Sequence, residues 1–214
     1  MSVERLRKAF ELTYECLRLK INGGRICVET EASLQLQFAT MMKSVGELLE
    51  AGRGEYFSIE LEKPVTHNDG VFEKSGSAKA KIDIYCAYTN VDTGDSSSCA
   101  IEMKFFKKAN QREPNNRYDV FADLHNLENY GPVADLCFMV VATDHEHYVS
   151  QESYSADTGD FDFRNGSKYK AGTAMTYRTR KPYGPPITLS NSYSFKWDRG
   201  AKGLHFLNLA VPTL

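Results

Sequence analysis

The run Asp135 to Thr143, DLCFMVVAT, limits how this chain can fold more than any other feature. It is nearly all apolar, yet far shorter than the roughly 18 residues needed to cross a membrane, so it reads as a strand buried on both faces. Such a strand belongs inside a sheet that is covered above and below, and the flanking sequence supplies the cover. Val3, Leu6, Phe10, Tyr14 and Leu17 recur at three- and four-residue intervals, which predicts an amphipathic helix ended by Asn22-Gly23-Gly24. A second helix begins after Thr30 as N-cap and closes near Gly52, with Leu34, Phe38, Met41, Met42, Val45, Leu48 and Leu49 as its inward stripe. A third, Asn115 to Tyr130, lies between Pro114 and Gly131 and turns Tyr118, Phe121, Ala122, Leu124 and Leu127 inward.

Three strands separate the second and third helices. Tyr56 to Glu62 largely alternates apolar and polar residues, and Lys79 to Tyr88 sends Ala80, Ile82, Ile84, Cys86 and Tyr88 to one side. Cys99 to Phe106 places Ile101, Met103 and Phe105 on one face and Ala100, Glu102, Lys104 and Phe106 on the other. The connecting NVDTGDSSS makes the last two strands a hairpin. Helix, three strands, helix and strand, preceded by an extra helix, predict an α/β fold with a mixed sheet flanked by helices. At 214 residues and 24.1 kDa the chain has room for a single domain, 1–214. Its core spans about 30–143. An extension from about 150 to 214 is rich in Tyr, Phe, Gly, Lys and Arg, with strand-like pieces at Ile187 to Trp197 and Leu204 to Val211.

Composition excludes several classes. A 42% hydrophobic and 25% charged chain is not disordered. The charged N-terminus MSVERLRKAF does not read as a signal peptide and no apolar run spans a bilayer, so the expectation is a cytoplasmic protein with no membrane partner. Cys16, Cys27, Cys86, Cys99 and Cys137 show no CxxC spacing, which argues against a disulfide framework or zinc ribbon and for reduced, buried thiols. The net charge of −2 hides an uneven distribution. Residues 1–60 carry eight Lys/Arg against nine Asp/Glu, residues 61–160 nine against seventeen, and residues 161–214 nine against two, that is −1, −8 and +7. An acidic middle suited to cations precedes a basic tail suited to phosphate backbones, although two ordinary solvated faces would give the same numbers.

The chemistry gathers on the hairpin. Glu102 and Lys104 project from one face of their strand, and the phase of Asp83 puts it opposite Ile82 and Ile84, so that pairing brings its carboxylate beside that of Glu102. Two like charges about 4 Å apart at an effective dielectric near 20 cost on the order of 4 kcal/mol, so an apposed pair shares a proton or a cation. A hard divalent ion such as Mg²⁺ takes carboxylate and water oxygens and leaves room for substrate phosphate. Lys104 could then hold or polarise an attacking water, and in-line hydrolysis of a phosphodiester is the reaction these parts suit. Ordinary surface ion pairs across a hairpin are the competing explanation.

Asp83, eighteen intervening residues, then Glu102-Met103-Lys104 resembles the PD-(D/E)xK nuclease superfamily, to which many restriction endonucleases belong. The superfamily's common core of helix, three strands, helix and strand matches the order read from residue 31 to residue 143. The resemblance implies a restriction- or repair-type DNA endonuclease using Mg²⁺, with Mn²⁺ as a substitute. It implies that Asp83, Glu102 and the backbone carbonyl of Met103 ligate the metal, and that Lys104 serves the water. The first core helix of such nucleases often supplies a further acid, for which Glu31 is the matching position, with Gln35 one turn later as a nucleic-acid contact. The helix dipole explains an acid at Glu31 equally well. Ile82 stands where the superfamily's proline usually precedes the aspartate.

Lys107, Lys108, Arg178, Arg180 and Lys181 are the candidate phosphate contacts, and the aromatics interleaved with the tail's cations suit either base stacking or a core. Cutting both strands of a duplex would favour a homodimer, with the helix Val3 to Leu17 as the contact. A catalytically silent nucleic-acid-binding or assembly protein of the same fold is the second expectation, and a small α/β protein binding no nucleic acid the third. Asp144-His145-Glu146-His147 lacks the spacing of a helical zinc site and reads as a polar loop, while His67 and His125 are isolated.

Overall fold

The computed structural model describes residues 2–65, 81–200 and 204–214. A six-stranded mixed sheet organises it. In chain order its strands are β1 (Glu55–Pro64), β2 (Lys81–Asn90), β3 (Ser96–Phe106), β4 (Leu136–Thr143), β9 (Asp198–Arg199) and β10 (His205–Val211), with spatial order β1-β2-β3-β4-β10-β9. Only β3 and β4 are parallel; every other pair is antiparallel. All of β4 is buried, as its unbroken apolar run requires.

Helices α1 (Ser2–Asn22) and α2 (Glu31–Leu48) cover one face, where Leu6, Phe10, Leu34 and Phe38 pack on Ile84, Ile101, Met103 and Phe138. Phe10 stacks on Phe138 of β4 with ring centroids 3.8 Å apart, and burying one such ring contributes about 1.5–3 kcal/mol. The apolar stripe of α1 is therefore spent on this core. Thr30 caps α2 in a reciprocal box with Ser33. The expected inward stripe fails at Leu48, which is 83% exposed, because the helix ends there. Gly46 takes an inward place instead: a Cβ on it would collide with the Phe57 ring, and its carbonyl accepts a hydrogen bond from the Tyr88 hydroxyl.

Helix α3 (Glu113–Glu128) and the C-terminal extension cover the other face. Between β4 and β9 the chain forms, among its described residues, a short helix, α4 (His147–Ser150), and two two-residue pairings, β5 (Lys168–Tyr169) with β8 (Tyr193–Ser194) and β6 (Ala174–Met175) with β7 (Ile187–Thr188), whereas the strand expected over Leu204 to Val211 is β10. The strand expected over Ile187 to Trp197 is thus two fragments. Ring packing holds this region instead, with Tyr177, Tyr193, Phe195 and Trp197 all buried. Two charged residues of α3 anchor it. Glu128, 1% exposed, accepts from the Ser190 and Asn191 backbone N–H, the Asn191 amide and the Tyr193 hydroxyl. Arg117, 2% exposed, donates to the Thr158 and Phe161 carbonyls and the Thr158 hydroxyl, and lies over the Tyr154 ring.

Two smaller expectations also change. Ile82 packs with the α3-side core while Ile84 packs with the α2-side core, so β2 does not keep one phase. The turn coincides with Glu62, in the left-handed region at φ 53 between the pairs Leu61↔Ile84 and Lys63↔Ile82. Cys86, Cys99 and Cys137 are buried, but Cys16 and Cys27 are exposed. Lys79, Ala80 and His67 lie outside the described residues. No helix among the described residues is long and apolar enough to cross a membrane.

Candidate active site

The site is built on a strand edge. The β2–β3 ladder ends at Ile84↔Ile101, while β3 continues to Phe106. Beyond that point the odd-numbered residues of β3 turn their backbone groups toward a side that no strand among the described residues occupies, where unpaired N–H groups would be costly. Two carboxylates take them. Asp83 Oδ2 accepts from Met103 N at 2.7 Å, and Glu31 Oε2 accepts from Phe105 N at 3.1 Å. Asp83 therefore aims at the β3 backbone at Met103, not at the Glu102 side chain as register alone predicts. By strand geometry the Met103 carbonyl faces the same edge as its N–H.

The even-numbered residues point at α3. Glu102 is 0% exposed and its Oε1 accepts from the Tyr130 hydroxyl at 3.3 Å. Burial, and then the Glu102 charge, push the Tyr130 hydroxyl well above the usual tyrosine range. Lys104 Nζ lies 2.8 Å from Asp123 Oδ2, with side chains only 19% and 8% exposed. Burial acts to lower the Lys104 pKa, but Asp123, Glu31, Asp83 and Glu102 outweigh it and hold the ammonium well above the usual lysine range. Glu31 moves the other way for a carboxyl: burial raises its pKa despite Lys104 and the Phe105 N–H, which oppose. Burial also raises Asp119, one turn before Asp123 on α3.

These groups meet at a cavity of about 410 Å³ lined by Glu31, Lys104, Asn110, Arg112, Asp119 and Asp123 among others. Asp83 and Glu102 stand outside the lining yet act electrostatically on Lys104. Five carboxylates, Glu31, Asp83, Glu102, Asp119 and Asp123, thus surround two cations, Lys104 and Arg112. The donor set is all oxygen and carries excess negative charge, which is the chemistry of a hard divalent ion. Among the described residues, however, no three acid, histidine or cysteine side chains converge as a metal site. The acids gather round the ammonium of Lys104.

The remaining sequence candidates disperse. Gln35 is 8% exposed and does not line the cavity. The Met103 side chain is buried in the α2-side core, leaving only its backbone at the site. Lys107 pairs with Glu29 at 2.7 Å, and Lys108 opens a short 3₁₀ turn by donating its N–H to Asp144 Oδ1. Arg178 pairs with Asp160 at 2.6 Å, while Arg180 and Lys181 are exposed. His145 bonds to Glu113 and His205 to Glu146, so the acid and histidine loop is divided among separate partners.

Arg112, Asp119, Asp123 and Tyr130 were not anticipated. The polar stripe Asn116, Asp119 and Asp123 beside the apolar stripe of α3 was the available signal. Any amphipathic helix displays such a stripe, and only tertiary contact distinguishes it. No protein-family model, no curated protein and no solved structure matches the chain.

Proposed function

We propose that the chain hydrolyses phosphodiester bonds in nucleic acid, with DNA as the first substrate to test and Mg²⁺ as its cofactor. The observation that carries this is Lys104, held in a cavity by acids presented from α2, β2, β3 and α3 at the free edge of a sheet strand. The order α2, β1, β2, β3, α3, β4 agrees with the core that the PD-(D/E)xK resemblance implies. Asp83 and Glu31, whose carboxylates take the N–H groups on either side of the Met103 carbonyl, are the residues that would hold a cation with that carbonyl, while Glu102 stays buried outside the cavity lining; a bound cation would supply a water of lowered pKa and offset charge on the phosphate. Lys104 stays protonated at neutral pH, so it orients the water and stabilises developing charge and does not act as a base.

A second reading, a silent nucleic-acid-binding or assembly protein, is favoured by the sealing of Glu102 and the 2.8 Å lock between Lys104 and Asp123. Incubation of supercoiled plasmid with Mg²⁺ or Mn²⁺ decides between them. The nuclease reading expects nicking or linearisation that Asp83→Ala and Lys104→Ala each abolish. Cleavage that survives both substitutions sinks the assignment, and salt-sensitive binding without cleavage in any divalent metal establishes the silent reading.

A further inference from the structure

Among the described aromatics of the extension, most are buried, Tyr154 is half-buried and Tyr183 is exposed. Tyr169, Tyr177, Tyr193, Phe195 and Trp197 are at most 7% exposed, whereas Tyr183 is 44% exposed. Tyr183 is nevertheless fixed. Its hydroxyl accepts a hydrogen bond from Arg112 Nη2 at 3.3 Å and lies close enough to Asp119 to influence its carboxyl, both of them cavity residues. Its ring packs edge-on against Tyr118 at 5.4 Å and 89°. The following backbone is fixed as well: the Tyr118 hydroxyl donates to the Pro185 carbonyl at 2.9 Å, and a Cβ on Gly184 would collide with that hydroxyl. An exposed aromatic ring is thus held against residues of the cavity lining, with the exposed cations Arg180 and Lys181 just before it in the chain.

We infer that Tyr183 is a stacking platform for an unpaired base, and that the cavity takes a single strand or a frayed end in preference to intact duplex. This rests on the proposed nucleic-acid reading and sharpens its substrate. Lys104 is recessed, with its side chain 19% exposed, so a reacting phosphate has to enter a concave space. A duplex presents its phosphates on a convex and stiff surface with its bases stacked inside. A single strand can bend its backbone inward and turn a base out onto an aromatic face. Stacking on an aromatic ring is tolerant of base identity, while the exposed Arg180 and Lys181 offer positive charge for the backbone.

Fluorescence anisotropy tests this with a labelled oligothymidylate, its oligouridylate counterpart and the oligothymidylate annealed to its complement, all in EDTA so that binding is read without cleavage. The expected result is tighter binding of either single strand than of duplex. Tyr183→Leu should weaken single-strand binding about 5- to 100-fold and leave duplex binding unchanged, while Tyr183→Phe, which keeps the ring, should stay within about twofold of wild type. Equal or tighter binding of duplex, no binding of either single strand, or a Leu variant that binds like wild type overturns the inference. Single-strand binding that depends on Tyr183 in a protein that never cleaves would leave the platform standing while removing the nuclease reading. Plasmid cleavage indifferent to Tyr183→Leu, together with equal strand affinities, would do the reverse.

Discussion

The anchor of the C-terminal extension and the cavity around Lys104 both bury charge, in opposite company. At the anchor, Glu128 is met by two backbone N–H groups, an amide and a hydroxyl, and Arg117 by two carbonyls, a hydroxyl and an aromatic face. Each charge is met by neutral dipoles, with Arg117 Nε alone among these groups left without a hydrogen-bond partner, an arrangement that fixes one geometry. Around Lys104 the charges face one another, acids outnumber cations, and Glu31 and Asp119 have pKa values raised by burial. A fold gains nothing from crowding acids in this way. The contrast separates charge that holds the chain together from charge that, on the proposed nuclease reading, is kept for chemistry.

The largest effect is expected at Lys104. Lys104→Met leaves buried acids without their cation and should cost about 3–5 kcal/mol near neutral pH, read as a fall in the denaturant midpoint. Since the remaining carboxyls would be easier to protonate folded than unfolded, the deficit should shrink as pH is lowered through the carboxyl range. A deficit that does not change with pH would argue against a charge origin. At the anchor, Glu128→Gln removes one acceptor oxygen and the charge behind the other bonds, so about 2 kcal/mol should be lost. That loss should be accompanied by easier proteolysis of residues 188–194 while the core stays protected. A variant as stable as wild type would remove the distinction between the two regions. The effect at His147 is one of pH dependence, since burial, then Arg117 and His145, push the imidazole down to about 4 from an ordinary 6.5. A group with a depressed folded pKa contributes stability that is complete above 6.5 and lost as pH falls toward 4. The Tm of wild type should therefore drop across that window, and His147→Gln should flatten the drop.

How far each region was legible in the sequence follows from the same contrast. The β4 run, the Thr30 cap and the alternation of β3 were readable because each is a local pattern with one physical solution. Strand phase put Glu102 and Lys104 on the face that meets α3. It could not show that β2 would leave β3 after Ile84, which sends Asp83 to the Met103 N–H and Ile82 to the other core. Asp119 and Asp123 were illegible because a polar stripe on a helix does not reveal what it faces. The extension was readable only as aromatic and basic; its anchors, Arg117 and Glu128, lie on a helix more than thirty residues away from most of the groups they hold.

Glu31 offers the sharpest test, because Glu31→Gln keeps an acceptor for the Phe105 N–H while removing a charge that burial disfavours. Thermal unfolding and Mg²⁺-dependent strand cleavage should be measured together on this variant and on Glu128→Gln. If the cavity holds charge for chemistry, Glu31→Gln should unfold at the wild-type temperature or higher while cleaving about 10- to 100-fold more slowly. Glu128→Gln should unfold earlier and cleave at the wild-type rate while folded. Unimpaired cleavage by Glu31→Gln, or a loss of cleavage matched by an equal loss of stability, would contradict it.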